Sequence, residues 1–179
     1  RPSLMADPNL GWRLQPSQTT RLRWESYDYR VTANALGFPG PEYPPAKAPG
    51  AFRILVTGDA FSSAEGVNTD QAWPRLLEDE LRQRLPKTPV EVMNFAVTGY
   101  GPNQYAEIIQ DYAPTYQPDL IVVEMFVNDY LDALTTNDAF QASIGFGERS
   151  PDGLMGVLGL THLRQFLRMQ VREPLAALI

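Results

Sequence analysis

Three short apolar runs separated by two helical patterns limit this chain to very few folds. The runs are Phe52–Thr57, Val90–Val97 and Leu120–Phe126, each long enough for one buried strand and too short for a helix. Between the first two, Trp73, Leu76, Leu77, Leu81 and Leu85 recur at helical spacing and predict a helix over 70–85, with Thr69 or Asp70 as its cap. Pro74 is tolerable there only because it falls in the first turn, and Pro86 and Pro89 end the segment. A second helix is predicted over 102–112, with Tyr105, Ile108, Ile109 and Tyr112 on one face and Pro114 and Pro118 as its stop. Strands that alternate with helices need crossover connections, so the expected class is α/β: a three-layer parallel sheet with helices on both faces.

In such a sheet every strand delivers its carboxyl end to one edge, and ligands bind at that edge. Three short stretches lie just past those ends: Gly58-Asp59-Ala60, Thr98-Gly99 and Asn128-Asp129. The N–H of Ala60, the N–H of Gly99 and the side-chain amide of Asn128 are uncharged donors that can be aimed at one developing oxyanion. Gly99 suits that task because a residue without Cβ lets an oxygen come close to the backbone. Taken singly, each stretch reads more readily as an ordinary turn or cap. Their joint order at successive strand ends favours one cleft.

Gly58-Asp59-Ala60-Phe61-Ser62 resembles the first motif block of the SGNH (GDSL-type) hydrolases, which reads Gly-Asp-Ser and then an apolar residue. Asn94-Phe95-Ala96-Val97-Thr98-Gly99 resembles the block that carries the family Gly. Phe126-Val127-Asn128-Asp129 resembles the block that carries the Asn, with Val127 where Gly often stands. A similar Asn-x-x-Gly-Phe stretch, Asn34 to Phe38, precedes the first block. The resemblance implies a flavodoxin-like five-stranded sheet and a serine-type acyl-ester hydrolase or O-acyltransferase. Small acyl esters carried on carbohydrate are the substrates that the resemblance implies, and no cofactor or metal. Ala60 then occupies the nucleophile position, with Gly99 and Asn128 completing the oxyanion site. Ala at that one position, with Asp59, Gly99 and Asn128 intact, looks more like an engineered knockout than like drift. Ser62 and Ser63 are read as caps of the following segment.

The family His follows an Asp by three residues. The single histidine, His162, follows Gly159 at that spacing and sits on an amphipathic pattern with Leu160, Leu163, Phe166 and Leu167. Three strands are recognisable before the chain reaches Leu175-Ala176-Ala177-Leu178-Ile179. The expected fold is therefore incomplete at its C-terminal side. Residues 51–179 read as the N-terminal part of a longer SGNH-like domain, the alternative being a second polypeptide that supplies the missing strands and His. Thr135–Gly153, with three glycines and few apolar anchors, reads as a surface insertion or a lid over the cleft.

Residues 1–50 form a β-rich, Pro-rich extension. Leu22 and Trp24, then Tyr27, Tyr29 and Val31, alternate with charged residues on either side of Glu25-Ser26 and predict a hairpin. Pro44, Pro45, Pro49 and Gly50 make a stiff connector into the first strand. A net charge of −6 with no Lys/Arg cluster argues against nucleic acid as a partner. No apolar run reaches the roughly 18–20 residues of a membrane span. The absence of cysteine excludes disulfides and thiolate metal sites. An Arg1-Pro2 start and Pro-rich lead-in suit an extracytoplasmic domain, periplasmic or set behind a membrane anchor. Two other classes are open to such a chain: a non-catalytic SGNH-like domain that binds an acylated sugar or a protein, and a phosphate-binding doubly wound domain. The second is weakest, because Gly58 to Gly66 fits neither glycine-rich phosphate loop.

Overall fold

A computed structural model describes residues 4–23, 27–127 and 129. Two antiparallel hairpins come first. β1 (Leu4–Asp7) pairs with β2 (Gly11–Leu14), and β3 (Thr19–Arg23) pairs with β4 (Asp28–Thr32), Arg23 opposite Asp28. The parallel sheet follows: β5 (Phe52–Thr57) in the centre, β6 (Val90–Asn94) on one side and β7 (Leu120–Val123) on the other. Helix α1 (Trp73–Arg84) connects β5 to β6, and α2 (Pro102–Tyr116) connects β6 to β7.

Alternation along each strand assigns the two faces of the sheet. Ile54, Val56, Val90 and Val92 pack with Trp73, Leu77 and Leu81 of α1 and with Val122. Leu55, Met93 and Phe95 pack on the other side with Tyr105, Ile108 and Tyr116 of α2. Both faces are thus covered, which is why the strands read as continuous apolar runs. The chain is an α/β protein with a parallel sheet between helical layers.

The extension is not a separate layer. Leu10, Trp12 and Phe38 are buried in the same cluster as Leu55, Met93 and Tyr105. The second hairpin has its own small core of Leu14, Leu22, Tyr29, Val31 and Ala33. The Pro-rich connector is fastened by Arg53, fully buried, whose guanidinium donates to the carbonyls of Pro44 (2.9 Å), Pro45 (3.0 Å) and Tyr116 (2.7 Å) and to Glu91 Oε2 (2.6 Å).

Several local expectations are corrected. A 3₁₀ turn over Thr69–Gln71 precedes α1, with Asn68 and Gln71 forming its capping box, so neither Thr69 nor Asp70 caps the helix. α1 starts at Trp73 behind Ala72, and Pro74 falls in its first turn as expected. Leu76 and Leu85 are exposed, whereas Glu78 is buried. Arg75 and Arg82 pair with its carboxylate, and it accepts from the Val92 N–H (2.7 Å) and from the Tyr43 hydroxyl. Pro114 does not stop α2. It sits in the last turn, and the helix ends at Gln117 in the left-handed conformation (φ 48°). A proline this close to the end removes one hydrogen bond from a turn that is already fraying, which a packed helix tolerates.

Candidate active site

The β5 run ends where the backbone must turn without a side chain. A Cβ at Gly58 would stand 2.6 Å from Glu124 Oε2 and 2.8 Å from Ser62 Oγ, so only glycine fits. Asp59 then makes an Asx turn: its Oδ1 accepts the Phe61 N–H (3.0 Å) and its carbonyl accepts the Ser63 N–H (3.0 Å). Ala60 sits on this turn, half-buried, its carbonyl taking the Glu65 N–H at 3.3 Å. Among the described residues no acceptor takes the Ala60 N–H.

The loop after β6 is tied to the same turn. Ser63 Oγ donates to Thr98 Oγ1 (2.9 Å), with the Ala60 carbonyl also in reach at 3.3 Å, and Thr98 Oγ1 donates to Glu65 (3.0 Å). Asn94 donates to the Ser62 carbonyl (2.7 Å) and accepts the Ala96 N–H. Gly99 adopts φ +84° in a turn closed by the Tyr100 N–H on the Val97 carbonyl, a conformation in which a Cβ would be strained. Trp12 holds this loop from outside: its indole N–H donates to the Thr98 carbonyl (3.2 Å), and its own carbonyl accepts from Tyr100 Oη (2.6 Å).

The third loop is built around Asp129, which is fully buried. Its Oδ2 accepts the Phe126 N–H (2.8 Å) and the Tyr105 hydroxyl (3.0 Å), and Tyr105 Oη also reaches the Tyr100 carbonyl (3.2 Å). Burial pushes the Tyr105 phenol far up, and the charges of Asp129, Asp59 and Glu124 push it in the same direction. Burial likewise raises the Glu124 carboxyl, opposed by the Asp59 N–H it accepts and reinforced by the Asp59 charge.

The structure therefore brings Ala60 and the Thr98-Gly99 turn together through Ser63. Asn128 lies outside the described residues, as do His162, the 135–153 stretch and the C-terminal apolar segment. Ser62 and Ser63 do not cap a following helix. Ser62 is buried between Glu124 and the Trp73 indole, and Ser63 bridges two loops. Of the residues that organise the turns, sequence reasoning gives Trp73 and Tyr105 only as helix-face positions and Asp129 only as the neighbour of Asn128, and it does not single out Glu124. The signal available was Glu124, one acidic residue inside the seven-residue run Leu120–Phe126.

Among the described residues no group of three or more His, Cys, Asp or Glu side chains could hold a metal ion, and no helix is long and apolar enough to cross a membrane.

Comparison with curated proteins gives no match. Among solved structures, the chain is similar to TesA (22% identity over 66% of this chain and 73% of that one, TM-score 0.42). It is also similar to the psychrotrophic esterase EstA from Pseudoalteromonas sp. (20% identity, 65% and 54% coverage, TM-score 0.43). A mutant of the esterase AlinE4 is a third (21%, 69% and 57%, TM-score 0.43). The chain spans little more than half the length of the last two. The family model for GDSL-like lipase/acylhydrolase matches residues 54–146, just over half of the chain and a span that encloses all three strand-end loops. On that match, the chain belongs to the GDSL-like lipase/acylhydrolase family.

Proposed function

We propose that this cleft is built for acyl-ester hydrolysis or O-acyl transfer on small acyl esters, carbohydrate esters among them, and that with Ala60 at the nucleophile position it holds the ester without turning it over. Ala60 and Gly99 are the backbone oxyanion donors and Asn128 the side-chain donor. The observation that supports this reading is the Ser63 bridge, which fixes the turn bearing Ala60 against the turn bearing Gly99 while leaving the Ala60 N–H without an acceptor among the described residues. An N–H held in that way can stabilise an oxyanion without reorganising.

A serine in place of Ala60 would put a hydroxyl on the same turn. Acyl transfer would then open with its attack on the ester carbonyl, the proton passing to a base and the negative charge settling on the carbonyl oxygen against the donors. Residues 1–50 act as an extension that braces the Gly99 loop, and residues from 51 onward as the hydrolase-like domain.

The test is Ala60→Ser in the full-length polypeptide, assayed with a chromogenic acetyl ester and with acetylated oligosaccharide. The expected result is turnover in the Ser form and none above background in the Ala form. Asn128→Ala in the Ser background should lower turnover by about 10²–10³, the usual effect of removing one oxyanion donor. A Ser form as inert as the Ala form across short-chain esters refutes the reading. Ala60 itself favours a second one, a non-catalytic domain that binds an acylated sugar or a protein partner in the same cleft.

A further inference from the structure

We infer that Glu124 is the positioning residue of the turn that carries position 60. The inference rests on the acyl-transfer reading only for what the turn is used for. Its geometry stands separately.

Glu124 follows β7 directly and extends the ladder, its N–H donating to the Thr57 carbonyl (2.9 Å). From there its side chain crosses beneath the end of β5. Oε2 accepts the Asp59 N–H and the Ser62 hydroxyl, each at 3.2 Å. These two donors bracket position 60 in sequence, so one oxygen atom fixes the turn on both sides of it. Ser62 Oγ in turn accepts the Trp73 indole N–H at 3.0 Å, which joins the arrangement to the start of α1. With the Ser62 carbonyl held by Asn94, the segment 59–62 is attached to β6, β7 and α1 at once. Gly58 completes the fit, since any Cβ there would overlap Glu124 Oε2 and Cβ, at 2.6 and 2.9 Å. Glycine at 58 and glutamate at 124 are therefore two halves of one contact.

The charged and titratable groups around Glu124 are Asp59 on the turn and Tyr105 on α2, the latter in contact with Asp129. An acceptor oxygen at 124 is what the turn requires, while a full negative charge beside Asp59 is not. Glutamine supplies the oxygen without the charge, and alanine supplies neither. That difference separates positioning of the turn from a general contribution to stability.

The protein as it stands tests the geometry by amide hydrogen exchange, and the Ala60→Ser form tests its use by the rate of labelling with an alkyl fluorophosphonate. Glu124→Ala is expected to speed exchange of the Asp59 amide by about tenfold, the equivalent of one lost charge-assisted hydrogen bond, with β6 and α2 amides unchanged. Glu124→Gln is expected to stay within about threefold of the parent. In the Ala60→Ser background, Glu124→Ala should lower the saturating labelling rate about tenfold at unchanged half-saturation, and Glu124→Gln should restore it. The inference is overturned if Glu124→Ala leaves the Asp59 amide protected, if exchange rises uniformly across the sheet, or if glutamine fails to rescue. Should Ala60→Ser go unlabelled in every variant while the exchange pattern holds, the acyl-transfer reading fails and the positioning role of Glu124 stands.

Discussion

Replacing Arg53 with Met should be the most damaging single change in the sheet, although it keeps the apolar stem. Arg53 is fully buried, and its guanidinium makes four hydrogen bonds: one to Glu91 and three to the carbonyls of Pro44, Pro45 and Tyr116. It also lies over the Tyr116 ring, 5.8 Å from the centroid. Methionine leaves the Glu91 carboxylate, whose side chain is only 14% exposed, without its cation, and three carbonyls without a donor. Removing one partner of a buried ion pair typically costs about 3–5 kcal/mol, because the remaining charge is stranded. The carbonyls would add to this, but they can relax towards water at the connector. About 4 kcal/mol is the expected total. With a urea m-value of about 2 kcal/mol/M, the unfolding midpoint should fall by about 2 M. Adding Glu91→Leu should recover roughly half of the loss, since the stranded carboxylate is then gone. A midpoint shift below about 0.5 M for Arg53→Met would refute the reasoning. So would a double variant no better than the single one.

Gly58→Ala should destabilise the fold by about 1–3 kcal/mol in a thermal melt, because its Cβ would have to displace Glu124 and Ser62. Gly99→Ala, at φ +84°, should cost about 1–2 kcal/mol in the same assay. Trp12→Phe removes the bond to the Thr98 carbonyl and part of a fully buried indole, and should lower stability by about 1–3 kcal/mol by urea unfolding. The Glu124 carboxyl is raised in the folded state, so its stabilising contribution is present below its ordinary value near 4.5 and is lost as pH rises through the raised one. Glu124→Gln does not titrate. Its melting temperature should therefore gain on the parent as pH rises from 4.5 to neutrality, and equal melting profiles at all pH values would contradict the assignment.

The sheet was legible because parallel strands covered on both faces leave uninterrupted apolar runs, and the Gly58 and Gly99 turns could be found by following two of those runs to their ends. The first hairpin was not legible. Leu4–Asp7 and Gly11–Leu14 are four residues each, too short for alternation to show, and are held by long-range packing of Leu10 and Trp12. Glu78 defeated the helical pattern in another way, since a carboxylate flanked by Arg75, Arg82 and a backbone N–H can take a core position that spacing would give to a leucine. Glu124 was hidden for the same reason. Its value lies in what reaches it from Asp59 and Ser62, distant in sequence, and a run of strand residues does not display that.

Trp12 bears on how this protein can be cut and recombined. The family match begins at residue 54, and a boundary drawn there for grafting or for trimming the chain would discard Leu10, Trp12 and Phe38. Those side chains fill the α2 side of the sheet, and the trimmed product would keep every motif residue around an open cavity. The recurring family segment and the unit that folds are different lengths of the same chain. A chimera made with another family member should exchange the leading hairpin together with the Gly99 loop that it clasps.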